Sequence, residues 1–277
     1  MKTFIRGILT TVLVFTFTLI PTVIYTEKTV NQDLVGGYAK EALTDQLSVA
    51  LHQGTTDLTE EQIKEIEDKL QKDESIKKIA DKIGDRIIKD ISKENVEDIN
   101  LEEDIRNLLV ENKDILGEAV GQEITEETID QAIEEVSKEQ DLNEQYKEII
   151  EKTRNELPAE SKIMIDSYNN MTSNEFIIIL SVISVVAIII IALLKKPYYK
   201  WIVNIGIAGI ISALFISLIG ACMALILNLV IESMEATMTI SATPMLIIAG
   251  IMLVVSILLL VINAVLDNNK GKTNAVS

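Results

Sequence analysis

Four uncharged, strongly apolar runs mark the chain, and a long polar interval separates the first from the other three. No Asp, Glu, Lys or Arg lies between Arg6 and Glu27, between Glu175 and Lys195, between Lys200 and Glu232, or between Glu235 and Asp267. A bilayer core of about 30 Å is crossed by about 20 residues of helix, so each run is long enough to span it. The expected cores are Gly7 to Ile24, Phe176 to Leu194, Trp201 to about Leu227, and Met245 to Leu266. Ser173 can cap the second span, with Asn174 and Glu175 in its first turn, and Pro244 suits the first turn of the fourth, where its missing N–H costs nothing. The third run is long. Residues 201–231 extend about 46 Å as helix, so this span must tilt or project.

The interval from Glu27 to Ser173 follows a different pattern, with isolated apolar residues at helical spacing. Ile63, Ile66 and Leu70 form one stripe, Ile76, Ile79, Ile83 and Ile87 a second, and Ile129, Ile133 and Val136 a third. Leu142, Tyr146, Ile149 and Ile150 mark a later helix that stops near Leu157-Pro158. Each is the signature of an amphipathic helix. The stretches LTEEQI (58–63), NLEEDI (100–105) and ITEETI (124–129) share one start grammar. A Thr or Asn caps, acids follow in the first turn, and apolar residues flank the cap. Strand patterning is nearly absent, which predicts a helical module of about six helices. Thr29 to Gln53 is expected to continue span one as a stalk, weakened at Gly36-Gly37 and ended by Gly54.

Charge separates the two kinds of sequence further. Residues 27–173 hold 38 Asp and Glu against 18 Lys and Arg, whereas the rest of the chain holds 4 acidic and 7 basic residues. Those basic residues are Lys2, Arg6, Lys195, Lys196, Lys200, Lys270 and Lys272. Lys and Arg in short flanks face the cytoplasm. Lys2 and Arg6 therefore hold the N-terminus inside, the turn LLKKPYYKWIV (193–203) returns to the inside, and Lys270 and Lys272 hold the tail there. In that turn Pro197 breaks the helix, and Tyr198, Tyr199 and Trp201 can lie at headgroup depth.

The fold class that follows is all-α, a four-span helical protein of the plasma membrane with an extracytoplasmic acidic domain between spans one and two. Residues 1–26 form the cytoplasmic start and span one, 27–173 the outer domain, 174–194 span two and 195–200 a cytoplasmic turn. Residues 201–231 form span three, 232–243 an outer loop, 244–266 span four and 267–277 a cytoplasmic tail. Span one has the basic start and apolar middle of a signal peptide, but its exit, PTVIYTEKTV, lacks an Ala-x-Ala pattern, so a retained anchor is expected.

Candidate chemistry is sparse. One histidine, His52, excludes two-histidine metal centres and HExxH zinc sites, and one cysteine, Cys222, excludes an internal disulfide. There is no Gly-rich phosphate loop and no EF-hand loop. The expectation is a non-enzymatic protein with no catalytic residue, metal or cofactor. Met223, Met234, Met238, Met245 and Met252 are read as membrane packing, not as a copper site. Within span three, Gly206, Gly209, Ala213, Ser217 and Ala221 form a small-residue series that lets a neighbouring helix approach closely. Asn204, Asn228 and Asn263 lie near span ends, where water or another helix can satisfy them.

The net charge of the acidic module argues against nucleic acid or anionic lipid as its partners, because phosphate contacts need Lys and Arg. The expected role is presentation of the acidic helical domain outside the cell for protein interaction, sensing or envelope assembly. Its partners would be membrane lipids, other envelope or membrane proteins, and a second copy of the chain. The order of parts (one span, a large outer domain, then three spans with a short last outer loop) resembles the permease subunits of the FtsX and MacB class. That resemblance implies motion passed from a separate cytoplasmic ATPase to the outer domain. A channel or transporter is the third alternative. An Ile-, Lys- and Glu-rich chain with few aromatics matches a low-GC bacterium.

Overall fold

The computed structural model describes residues 1–40, 64, 74–92, 100–111, 113–114, 117, 123–139, 142–195, 198–233 and 239–274. Among these no strand occurs, and the chain divides into two compact units. The first is Met1–Glu27 with Asn170–Ser277, and the second is Lys28–Asn169.

In the first unit α1 is Lys2–Glu27, α7 is Asn174–Leu194, α8 is Trp201–Ser233 and α9 is Thr243–Asn274. All four are long and apolar enough to cross a membrane. Their starts follow local chemistry. Ser173 caps α7, its hydroxyl accepting from the Phe176 N–H at 3.2 Å. The Ser241 hydroxyl accepts the Thr243 N–H at 3.1 Å ahead of α9, and Pro244 occupies its first turn. Pro21 lies inside α1, an interruption that membrane helices tolerate where neighbouring helices surround the freed carbonyl. A 3₁₀ turn, Tyr198–Lys200, leads into α8; Lys196 and Pro197 lie outside the described residues.

α1 packs between α7 and α8, while α9 runs along α8 and touches α1 only lightly. Two apolar clusters hold this arrangement. Leu13, Ala187, Ile191 and Ala208 join α1, α7 and α8. Tyr25, Ala213, Ile216, Met245 and Ala249 join α1, α8 and α9. Most of the apolar surface nevertheless faces outward: between 17 and 28% of the most apolar stretch of each helix is buried. Ile178, Ile179, Val182, Val254 and Leu258 are among the exposed side chains. Water does not tolerate a continuous surface of that kind, whereas lipid does. The unit is a membrane bundle.

The second unit contains a π-helical segment, Lys28–Gly36, followed by α2 (Glu74–Ser92), α3 (Leu101–Glu111), α4 (Glu126–Glu139) and α5 (Leu142–Glu156). The next helix, α6 (Ala159–Thr172), was not anticipated as a separate element and starts immediately after Pro158. Two of the three predicted starts are described. Asn100 accepts the Glu103 N–H at 3.3 Å and donates to the Glu103 carboxylate at 2.7 Å, closing a reciprocal cap on α3. Thr125 accepts the Thr128 N–H at 3.2 Å and opens α4. The third start, at 58–63, and the Ile63, Ile66, Leu70 stripe lie outside the described residues, as do His52 and Gly54.

The helix continues past Glu27 through Lys40, π-helical over Lys28–Gly36, as expected of a continuation of span one, and residues 41–53 lie outside the described residues. Lys28–Gly36 also packs against α2, and two glycines make this possible. A Cβ on Gly84 would lie 2.1 Å from the Asn31 carbonyl oxygen, and one on Gly36 would lie 3.1 Å from the Ala80 carbonyl. The backbones meet where a side chain would stand. Accordingly the buried line of α2 runs through Ala80, Gly84 and Asp90, while Ile83 and Ile87 are only partly covered.

Candidate functional site

In the second unit, polar groups converge on the last turn of α2. Asp90 is fully buried there, where the helix end already presents partial negative charge and a carboxylate is doubly disfavoured. Its surroundings offset this. Arg86 donates to it at 2.7 Å from one turn earlier, and the Tyr146 hydroxyl of α5 donates at 3.3 Å. Arg154, two turns further along α5, donates to the Asp90 and Ile91 carbonyls at 2.9 and 3.3 Å, so a cation caps the helix end. From α6, Asn169 donates to the Ile88 carbonyl at 3.1 Å, and Tyr168 donates to the Asn31 side chain at 2.7 Å.

Burial, and then the Asp90 charge and hydrogen bond, push the Tyr146 phenol well above the usual tyrosine range, so it stays a donor. This is a junction that locks α2, α5, α6 and the π-helical segment to one another. Near the glycine crossing, burial raises the carboxyls of Asp33 and Asp81 above their ordinary range against the pull of Lys77 and Lys28. Gln32 bridges to Asp85 beside them at 3.3 Å. Across α3 and α4, Arg106 pairs bidentately with Asp130 on the surface and holds that carboxyl below the usual range, chiefly through their hydrogen bond.

The bundle carries a second set of polar contacts, between its helices. The Asn204 amide donates to Thr10 at 2.8 Å, Ser184 donates to Thr16 at 2.6 Å, and Ser212 donates to the Val14 carbonyl at 3.0 Å. α1 is therefore tied to α8 through Thr10 and Val14 and, from a different side, to α7 through Thr16, by hydroxyls and an amide, a polarity that no charge in the sequence announces. Tyr25 donates to the Ser241 carbonyl at 2.7 Å. Asn228 both donates to the Ile240 carbonyl (2.9 Å) and accepts its N–H (2.7 Å), which pins the chain ahead of α9 to α8.

The small residues of α8 divide. Gly206, Gly209 and Ala213 are buried, and Gly220 and Ala224 continue that face. Gly206 receives Leu260 and the Ser256 carbonyl, Gly209 receives the Ser256 hydroxyl, and Gly220 receives Met245. Ser217 is partly buried and bonds back to the Ala213 carbonyl, and Ala221 is exposed. A four-residue step drifts about 40° per repeat in a 3.6-residue helix, so a series begun on the covered face leaves it after two steps.

The basic residues gather at one end of the bundle. Lys2 and Arg6 occupy the first turns of α1, Lys195 ends α7 and Lys200 closes the 3₁₀ turn. Lys270 and Lys272 belong to the last turns of α9. Lys200 lies 3.5 Å from Asp267, to which the Tyr199 hydroxyl donates at 2.6 Å. Among the described residues no three His, Cys, Asp or Glu side chains are placed to share a metal ion. Sequence reasoning missed the Asp90 junction. The Arg86–Asp90 spacing is a visible signal, but Tyr146 and Arg154 reach it only through the fold. Comparison with known protein families, curated proteins and solved structures yields no match to this chain.

Proposed function

We propose that this chain is a non-enzymatic membrane protein that presents Lys28–Asn169 outside the cytoplasm for contact with another envelope or membrane protein, in sensing or assembly. One observation carries the reading. A bundle of four apolar helices and an acidic helical unit coexist in one chain as separate compact units. The acidic unit also has its own buried polar junction and capped helices, the features of a module kept folded in water while its anionic surface stays available.

In-cell photocrosslinking of the full chain tests this. A photoreactive residue is placed in turn at Glu127, Lys152 and Glu160, all exposed positions of the acidic unit. At least one is expected to give a defined adduct with a second membrane or envelope polypeptide. Absence of any adduct from all three, with the chain correctly inserted, counts against presentation as the role. An adduct instead from Tyr199 to a cytoplasmic ATPase would move the assignment to the permease class.

A further inference from the structure

We propose that Arg6, Lys195 and Lys200 form a site for the phosphate headgroup of an anionic membrane phospholipid. Three separate segments deliver these cations: the start of α1, the end of α7 and the turn before α8. Their convergence follows from contacts one turn deeper. Asn204 bonds to Thr10 at 2.8 Å, and each lies four residues from a cation, Lys200 and Arg6 respectively. Ile191, four residues before Lys195, is fully buried in the cluster that also holds Leu13 and Ala208, with Leu9 and Trp201 packed against it. All three side chains are partly buried.

Such a grouping is self-repelling. Burial, and then the charges of Arg6 and Lys200, lower the Lys195 ammonium from its ordinary range. Asp267 is the only carboxylate that the described residues bring to this end; it lies 3.5 Å from the Lys200 ammonium and accepts from the Tyr199 hydroxyl at 2.6 Å, so it offsets one of the three charges and leaves the group net positive. Internal bonds leave most donors of the three cations unspent. Lys195 donates to the Lys200 carbonyl at 2.8 Å, and Arg6 donates to the Lys2 carbonyl at 3.2 Å and the Thr3 hydroxyl at 3.1 Å. The ammonium has three N–H groups and the guanidinium five. A phosphodiester is the complementary ligand: anionic, rich in acceptor oxygens, and present at the depth where helices leave the hydrocarbon. The acyl chains would lie along the exposed apolar surface of α7, including Leu193 and Ile189.

The inference rests on the membrane reading of α1, α7, α8 and α9 and is independent of what the acidic unit contacts. The test is native mass spectrometry of the full chain in detergent, with added phosphatidylglycerol, phosphatidylcholine or inorganic phosphate. Phosphatidylglycerol should be retained preferentially. The triple variant Arg6→Gln, Lys195→Gln, Lys200→Gln should lose that preference by about tenfold or more. The charge-keeping variant Arg6→Lys, Lys195→Arg, Lys200→Arg should retain it, and Lys195→Gln alone should show a partial loss should the triple variant fold poorly.

Equal retention of the two lipids by the natural chain overturns the site. So does an equal loss from Lys270→Gln with Lys272→Gln, which would report a general basic end. Displacement by inorganic phosphate at concentrations equal to the lipid overturns the lipid as source. Zwitterionic lipid held equally by every variant would show that the membrane reading survives a failure of the site.

Discussion

Single side chains decide how closely helices meet in the acidic unit. Gly84 stands where a Cβ would come within 2.1 Å of a backbone oxygen that cannot rotate away. Gly84→Ala should therefore force the π-helical segment off α2, at a cost of about 2 kcal/mol or more. Faster hydrogen exchange across both segments in the full chain would report it. Gly250→Ala, which meets nothing within 4 Å, should change neither. The Asp90 junction gives a second residue-level expectation. Losing a hydrogen bond to a charged group costs about 1.5 to 3 kcal/mol, and the Arg86 side chain is still 32% exposed and can turn to water, so Asp90→Ala, which takes away the acceptor of the Tyr146 hydroxyl, should loosen α2 and α5 together. Equal exchange in variant and natural chain would reject the lock. Asp81 supplies a pH test. Its folded-state pKa is raised above 3.8, chiefly by burial, so the folded form holds a proton that the unfolded chain releases. The site's penalty is absent below 3.8, grows as pH climbs toward the raised value, and is constant above it. Asp81→Asn should then match the natural chain in stability below pH 3.8 and exceed it increasingly as pH rises through that window, read by exchange at α2. A difference of the same size at every pH would reject the titration.

Elements meet by shape in the bundle and by polar locks in the acidic unit, and this determined what could be foreseen. The four membrane helices were legible because uncharged length is a one-dimensional property; α7 begins and ends where its flanking Ser173 and Lys195 require. Starts at Asn100 and Thr125 were legible for a similar reason, since a cap is made within four residues. Faces were harder. The Ile83–Ile87 stripe implies an apolar face for α2, yet its deepest positions are Ala80, Gly84 and Asp90, because close approach to another backbone favours small residues over large ones. The series Gly206, Gly209, Ala213, Ser217, Ala221 likewise mixes positions on and off the covered face of α8, and only the partner helix reveals that Gly220 and Ala224 continue it. Polar ties such as Asn204–Thr10 and Ser184–Thr16 join residues far apart in the chain, and no local pattern encodes them. A prediction follows for α8 and α9. Gly220→Val should separate them at Met245 and lower the melting temperature in detergent, whereas Ala221→Val, on the exposed face one residue later, should leave it within a degree or two. Equal effects from neighbouring residues would mean the seam is misplaced.

At the scale of the whole chain, charge is sorted along the bundle. The start of α1, the end of α7, the start of α8 and the end of α9 come together, as the Asn204–Thr10 and Tyr199–Asp267 bonds record, and they carry Lys2, Arg6, Lys195 and Lys200 against one carboxylate, Asp267. The opposite ends meet through Tyr25 and Ser241 and carry Glu27, Glu175 and Glu232. Basic flanks are retained in the cytoplasm during insertion, so this sorting predicts one orientation: both chain ends inside, Lys28–Asn169 outside. Cysteine labelling settles the matter directly because Cys222 is the only thiol to remove. In a Cys222→Ser background, Glu127→Cys and Lys152→Cys should react with a membrane-impermeant maleimide on intact cells, and Asn268→Cys only after permeabilisation. All three positions are exposed, so failure to label reports sidedness and not burial. The reverse pattern would place the acidic unit in the cytoplasm. That result would remove presentation to an envelope partner, and it would leave the Arg6, Lys195, Lys200 headgroup site to be judged against the outer leaflet.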